Sequence, residues 1–170
     1  MYRNGHYGAA LLAYSPLGLL AVALGFPLAG VGGGLLAIAL AMIPDWDQRV
    51  PGIAHRGPTH TVYFAGIVAV GAGLLAAGVV AARPGVGPLS IVGGGVFGAA
   101  VGGVTIGSHI AADSLTPMGV EPFGEDGPHF SYGVCRADST LGNYGLLALG
   151  IAVGLLAFYL GRAIHSVLPL

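Results

Sequence analysis

The chain has 170 residues, 55% apolar and 8% charged, with a mean hydropathy of +0.83 and a net charge of -1. Soluble domains carry about a quarter of their residues as charges and need that surface to stay dispersed, so the composition excludes an ordinary soluble enzyme and points to lipid as solvent. All six cations are arginine, the near-neutral balance leaves no basic footprint for nucleic acid, and the single Cys135 rules out an internal disulfide or a multi-cysteine zinc site.

Crossing a hydrocarbon core of ~30 Å takes about 20 apolar residues, and five stretches qualify or nearly do. The first runs from Gly8 to Leu28 with Pro16 as a kink point. The Met-Tyr-Arg-Asn-Gly-His start before it resembles a signal peptide, but no convincing cleavage site follows, so it reads as a first transmembrane helix. The second, Ala29 to Ile43, is short and glycine-rich, and either spans a thinned bilayer or re-enters. The third is Val62 to Ala82 and the fourth Ile91 to Ala112. The fourth carries Gly98 and Gly102 at GxxxG spacing, and its many glycines place it inside the bundle. The fifth is Asn143 to Leu168. The expected fold is all-α: one integral membrane domain over residues 1–170, a polytopic bundle of about five helices.

Two polar segments interrupt the pattern, 44–61 and 113–142. With five spans, both segments and the N-terminus fall on one side. That side holds Arg3, Arg49, Arg56 and Arg136, against Arg83 and Arg162 on the other, which favours it as the cytoplasmic face. The same end gathers His6, Asp45, Asp47, His55, His60, His109 and Asp113, whereas random placement sends about half of such residues to the opposite end. Only His165 among the histidines lies there.

Spacing sharpens this into a metal-binding expectation. His109 and Asp113 are four apart, on one helix face, and an ionisable pair at the membrane boundary is costly unless it works. Imidazole with carboxylate suits zinc first, with manganese or iron as alternatives. Asp45 and Asp47 offer two further carboxylates or cap a helix, His55 and His60 two further imidazoles, and Arg56 either a fork for phosphate or an arginine anchor at the interface. His6 joins the ligands or is a terminal interfacial residue. Trp46 reads as interfacial, His129 and His165 as structural, and Cys135 as a small buried residue.

Pro44-Asp45-x-Asp47, then His55-Arg56-Gly57-x-Thr59-His60-Thr61, then His109-x-x-x-Asp113-x-x-Thr116-Pro117-x-Gly119 resembles the YdjM-like family, from His6 to about Phe123. That resemblance implies an inner-membrane protein of a group predicted to be metal-dependent hydrolases. The order His, Asp, His, His-x-x-x-Asp is more distantly similar to the metal ligands of zinc-dependent phospholipase C and its related helical nucleases. By that likeness His6, one of Asp45 and Asp47, His60, His109 and Asp113 would be ligands. Those enzymes also use an N-terminal tryptophan amine and a His-x-x-x-Glu pair; here residue 1 is Met and no His-x-x-x-Glu occurs, which fits one or two ions rather than three.

The function expected is hydrolysis of a phosphoester, lipid or lipid-linked, by metal-activated water. In it Asp47 or Asp45 orients the water, Arg56 neutralises phosphate, Thr59 or Thr116 orients ligands, and Glu121 to Asp126 lies near the mouth. Membrane lipid is the expected partner, nucleic acid is not, and the oligomeric state is unassigned. The rival is a non-enzymatic scaffold or transporter with a structural metal or polar cluster. Transport needs polar residues through the bundle, and the third and fifth stretches are almost wholly apolar.

Overall fold

The computed structural model describes residues 1–52 and 54–167 and is helical throughout, with five helices long and apolar enough to cross a membrane. They are α1 (Arg3–Ala23), α2 (Pro27–Leu40), α3 (Val62–Ala81), α4 (Pro88–Ser114) and α5 (Thr140–Val167), with short 3-10 turns at Pro44–Arg49 and Pro58–His60. The expected end of the fifth stretch at Leu168 lies outside the described residues. Among those residues the only extended pairing is an isolated bridge between Val120 and Phe130.

Two boundaries differ from the sequence expectation, each for a local reason. α1 begins at Arg3, not Gly8, so His6 sits on the helix rather than before it. Hydropathy misses this first turn because Gly5 and His6 are buried against protein, and the backbone N–H of Tyr2 is held by the Asn143 side chain at 2.9 Å. The α1–α2 turn falls at 24–26 instead of near 29. There Gly25 takes a φ of +86°, Phe26 N–H bonds back to the Ala21 carbonyl, and Pro27 opens α2 at a position that needs no amide proton.

α2 is the shortest of the five helices. Its 14 residues rise about 21 Å, less than a full hydrocarbon core. The chain then tightens into the Pro44 turn, and helix plus turn together make a 23-residue candidate span. Asp45 and Asp47 are therefore delivered beneath the end of the bundle, not out in solvent.

Glycine contacts set the packing. α1 lies along α5, where a Cβ on Gly8 would stand 2.3 Å from the Leu146 carbonyl and one on Gly150 would stand 2.3 Å from the Gly8 carbonyl, so neither accepts a side chain without parting the helices. α3 lies along α4 through the GxxxG pair. A Cβ on Gly98 would meet Ala72 O at 2.6 Å, and one on Gly102 would meet Val68 O at 3.0 Å. α4 touches α1, α2 and α3, the interior position its glycines predict. The segment after α4 folds back over the end of the bundle: Tyr132 N–H bonds to Ser114 O, Cys135 N–H to Leu115 O, and Val62 N–H to Pro122 O.

Candidate metal centre

Four segments bring their polar residues to one point. α4 ends there, presenting His109 and Asp113 one turn apart, both 1% exposed. The Pro58 turn supplies His60, fully buried, and Thr61 then caps α3 by accepting Phe64 N–H at 3.2 Å. The Pro44 turn supplies Asp45, and α1 supplies His6.

The separations among four of these groups decide what the cluster can hold. His60 Nε2 lies 3.2 Å from His109 Nε2 and 3.5 Å from both Asp45 Oδ1 and Asp113 Oδ2. His109 Nε2 lies 3.6 Å from each of the same two oxygens. Ligands bound tetrahedrally at about 2.0–2.1 Å stand about 3.3–3.4 Å apart, so Asp45, His60, His109 and Asp113 fit a zinc-sized ion.

The hydrogen bonds point the same way. His109 Nδ1 donates to the Ala41 carbonyl at 2.7 Å, leaving a lone pair on Nε2. His60 Nδ1 lies 3.1 Å from Thr59 Oγ1, whose own proton goes to Asp47 Oδ2, so Nδ1 is the donor and Nε2 is likewise left bare. Two imidazole nitrogens and two carboxylates thus converge; the Arg56 guanidinium and the Met1 amine pair with Asp113 Oδ1, which leaves Asp113 Oδ2 and the facing nitrogens for a cation. Among the described residues three buried side-chain polar atoms lack a partner, and all three are here: His6 Nδ1, Arg56 Nε and Asp113 Oδ2.

Around the four stand residues that hold them. Asp47, buried, accepts from the Arg56 backbone N–H at 3.1 Å and from the Thr59 hydroxyl at 3.0 Å, and His55 Nδ1 lies 3.1 Å away. Its oxygens are thereby engaged behind His60, away from the facing lone pairs, and His55 is partly exposed beyond it. Asp47, His55 and His60 lie close enough together to form a second ligand group, but hydrogen bonds already account for them. His6 stacks on His109 with ring centroids 3.7 Å apart, its Nε2 3.1 Å from Met1 O, 3.5 Å from Asp113 Oδ1 and 4.0 Å from Asp45 Oδ2.

Arg56 adopts a φ of 63°, rare for a residue with a side chain, and this turn aims its guanidinium inward. It donates to Asp113 Oδ1 at 3.0 Å, to Thr116 Oγ1 at 3.3 Å and to the Gly119 carbonyl. The Met1 amine also pairs with Asp113 Oδ1.

Sequence reasoning missed three participants. The Ala41 carbonyl and the Met1 amine are backbone groups, and nothing in a residue's identity announces them. Asn143 was legible as the lone amide at the head of an apolar helix; its Nδ2 bonds to the Ala137 and Ser139 carbonyls while its Oδ1 fixes the start of α1.

Other expected residues fall elsewhere. His129 pairs with Glu121 at 3.4 Å on the surface, His165 reaches the Ala23 carbonyl at the far end of the bundle, Trp46 is exposed and Cys135 half-buried. The acidic stretch Glu121 to Asp126 does not line the opening beside Asp45. That depression, about 410 Å³, is walled by the start of α1 and by Met42 and Gln48. The correction follows from the Val120–Phe130 bridge and the Pro122 contact to α3, which tie the stretch to the α3 side.

No curated protein and no solved structure matches the chain. A family model, that of the YdjM inner membrane protein, matches residues 4–167, which takes in the five helices but for Arg3, and His6, Asp45, His60, His109 and Asp113. With apolar helices enough to cross a bilayer and a family match over nearly its whole length, this chain is a membrane protein and belongs to the YdjM inner membrane protein family.

Proposed function

We propose that the protein is a membrane-embedded hydrolase of phosphoesters that works with a divalent ion, zinc by preference and manganese or iron as alternatives. The observation that carries this reading is the near-tetrahedral set of His60, His109, Asp45 and Asp113 around facing lone pairs. Such an ion supplies Lewis acidity and makes water a nucleophile near neutral pH. His60 is held in the right tautomer by Thr59, itself anchored on Asp47, and His109 by the Ala41 carbonyl. Asp45, the least buried of the four, stands at the opening, where it can orient an attacking water. Arg56 directs a fixed positive charge at the same point and offsets a phosphoryl group's charge as it builds.

The test is hydrolysis by zinc-loaded protein in detergent, read as phosphate release from a panel of phosphomonoesters and as release of the leaving alcohol from a panel of diesters. Arg56→Gln is expected to lower kcat/KM by ten- to a hundredfold, the equivalent of about 1.5–3 kcal/mol for a charged hydrogen bond. No release from any substrate, with metal content confirmed, sinks the enzyme reading.

A structural ion in a scaffold is the second reading. It is favoured by one observation: four side chains lie close enough together to fill all four positions around an ion, whereas catalytic zinc keeps a position open. Displacement of Asp45 at the opening separates the two. Asp45→Asn should abolish turnover while retaining most of the metal if the site is catalytic, and should loosen the fold if it is structural.

The four-to-two arginine distribution supports a cytoplasmic orientation for the cluster's face. A cysteine replacing exposed Tyr132, in a Cys135→Ser background, should react with an impermeant maleimide in inverted membrane vesicles and not in intact spheroplasts. The reverse pattern overturns the orientation.

A further inference from the structure

Two cavities lie on the same seam of the bundle. One is the polar depression beside Asp45, whose wall includes Arg3 and Asn4 from α1 and Gln48 from the Pro44 turn. The other is an apolar groove of about 400 Å³ lined by Leu11 and Ser15 of α1, Gly34 of α2, and Ile151, Gly154 and Phe158 of α5. The groove exists because α1 packs against both α2 and α5 while those two barely touch each other, which leaves the outer face of α1 open between them. Glycine keeps it wide: a Cβ at Gly154 would meet nothing nearer than Ser15 Oγ at 3.9 Å.

The order along α1 joins the two. Arg3 and Asn4 stand at the depression and Leu11 begins the groove, about 10 Å further into the membrane at 1.5 Å per residue. A polar mouth that carries the Arg3 guanidinium across from the Asp45 carboxylate, set above an apolar trench, matches the anatomy of a phospholipid whose phosphate pairs with Arg3. The helix ends offer Arg3, Asn4 and Gln48 to a head group, and the trench offers only hydrocarbon contact to what hangs below it. Both volumes fall within the ~300–1,000 Å³ of small-ligand sites.

We propose that the ligand of this protein is an anionic phospholipid whose head group enters beside Asp45 between Arg3 and Gln48 and whose acyl chain lies in the α1–α2–α5 groove. This deepens the hydrolase reading and rests on it only for calling the lipid a substrate; the binding itself needs no turnover. It makes Arg3 a specificity residue that selects a phosphate-bearing head, and Gly154 the residue that admits the chain.

The experiment uses full-length protein in nanodiscs and phosphatidic acid carrying a diazirine in one acyl chain, with a diacylglycerol bearing the same diazirine as the headless control. After irradiation, adducts are mapped by mass spectrometry. The expected result is labelling centred on Leu11 and on Ile151 to Phe158, about tenfold weaker with Gly154→Leu, and weaker with Arg3→Gln for phosphatidic acid alone. Gly154→Leu suits a helix better than glycine and meets no backbone, so loss of labelling there is not loss of fold. Equal labelling of Gly154→Leu and the unsubstituted protein, or labels spread over the exposed face of α3 at Ile67 and Leu74, overturns the groove. Equal capture of the headless probe overturns head-group selection, and cross-links between two copies through Ile151 or Leu155 assign the groove to a dimer instead. His109→Ala separates this from the hydrolase reading: it should lose metal and phosphate release yet still capture the probe.

Discussion

Purified in mild detergent without added metal, the protein is expected to carry about one zinc per chain, and His109→Ala combined with Asp113→Ala is expected to carry none. The double variant removes one imidazole and one carboxylate from four groups that are mutually 3.2 to 3.6 Å apart wherever a nitrogen is involved. Two ligands cannot hold a structural-strength ion, so the effect is loss and not weakening. About two equivalents would mean that a second ion sits on the His6 side, where Asp113 Oδ1 and Asp45 Oδ2 face His6 Nε2. No metal in either protein, even after zinc is supplied, leaves a polar cluster tied together by Arg56 and ends the hydrolase reading.

Asp47→Asn is expected to cut zinc affinity by ~10–100-fold without changing the number of ions bound, the range seen when a carboxylate behind a metal-bound histidine is lost. The physical reason lies in its four neighbours. Asp47 accepts from the Arg56 amide and the Thr59 hydroxyl and faces His60 Nδ1 and His55 Nδ1. An amide in its place keeps the shape but turns an NH2 toward at least one donor, and His60 can then exchange the tautomer that leaves Nε2 free. Competition with a chelating zinc indicator measures this. A drop in stoichiometry instead would make Asp47 a ligand, as its place in the Pro44 motif also allows.

How much of this was readable beforehand differs from residue to residue. The five spans were legible because their apolar length is dictated by the bilayer and not by the partner helices. Gathering His6, Asp45, His60, His109 and Asp113 at one end needed only the parity of the spans. Dividing labour between Asp45 and Asp47 was beyond the sequence, since both sit in one turn and differ only in the direction a 3-10 backbone points them. The inward aim of Arg56 depends on its left-handed φ, a conformation that residue identity argues against. Residues 115–139 gave no period to follow, and their path is set by scattered backbone bonds to Ser114, Leu115 and Val62.

The pairing of α1 with α5 bears on how the protein is made. His6, Asp45, His60, His109 and Asp113 all lie at or before Asp113, whereas the long partner of α1 begins only at Thr140. During synthesis α1, α2, α3 and α4 therefore enter the membrane while Gly8 has no Leu146 or Gly150 to rest against. The histidines and aspartates of the cluster, and Arg56 with its partner Asp113, all belong to that first part of the chain. Polar attraction can thus gather the first four helices before the last one arrives, and α5 then closes on α1 as a clasp, fastened at its head by Asn143. An insertion order of this kind makes the charged centre the nucleus of assembly.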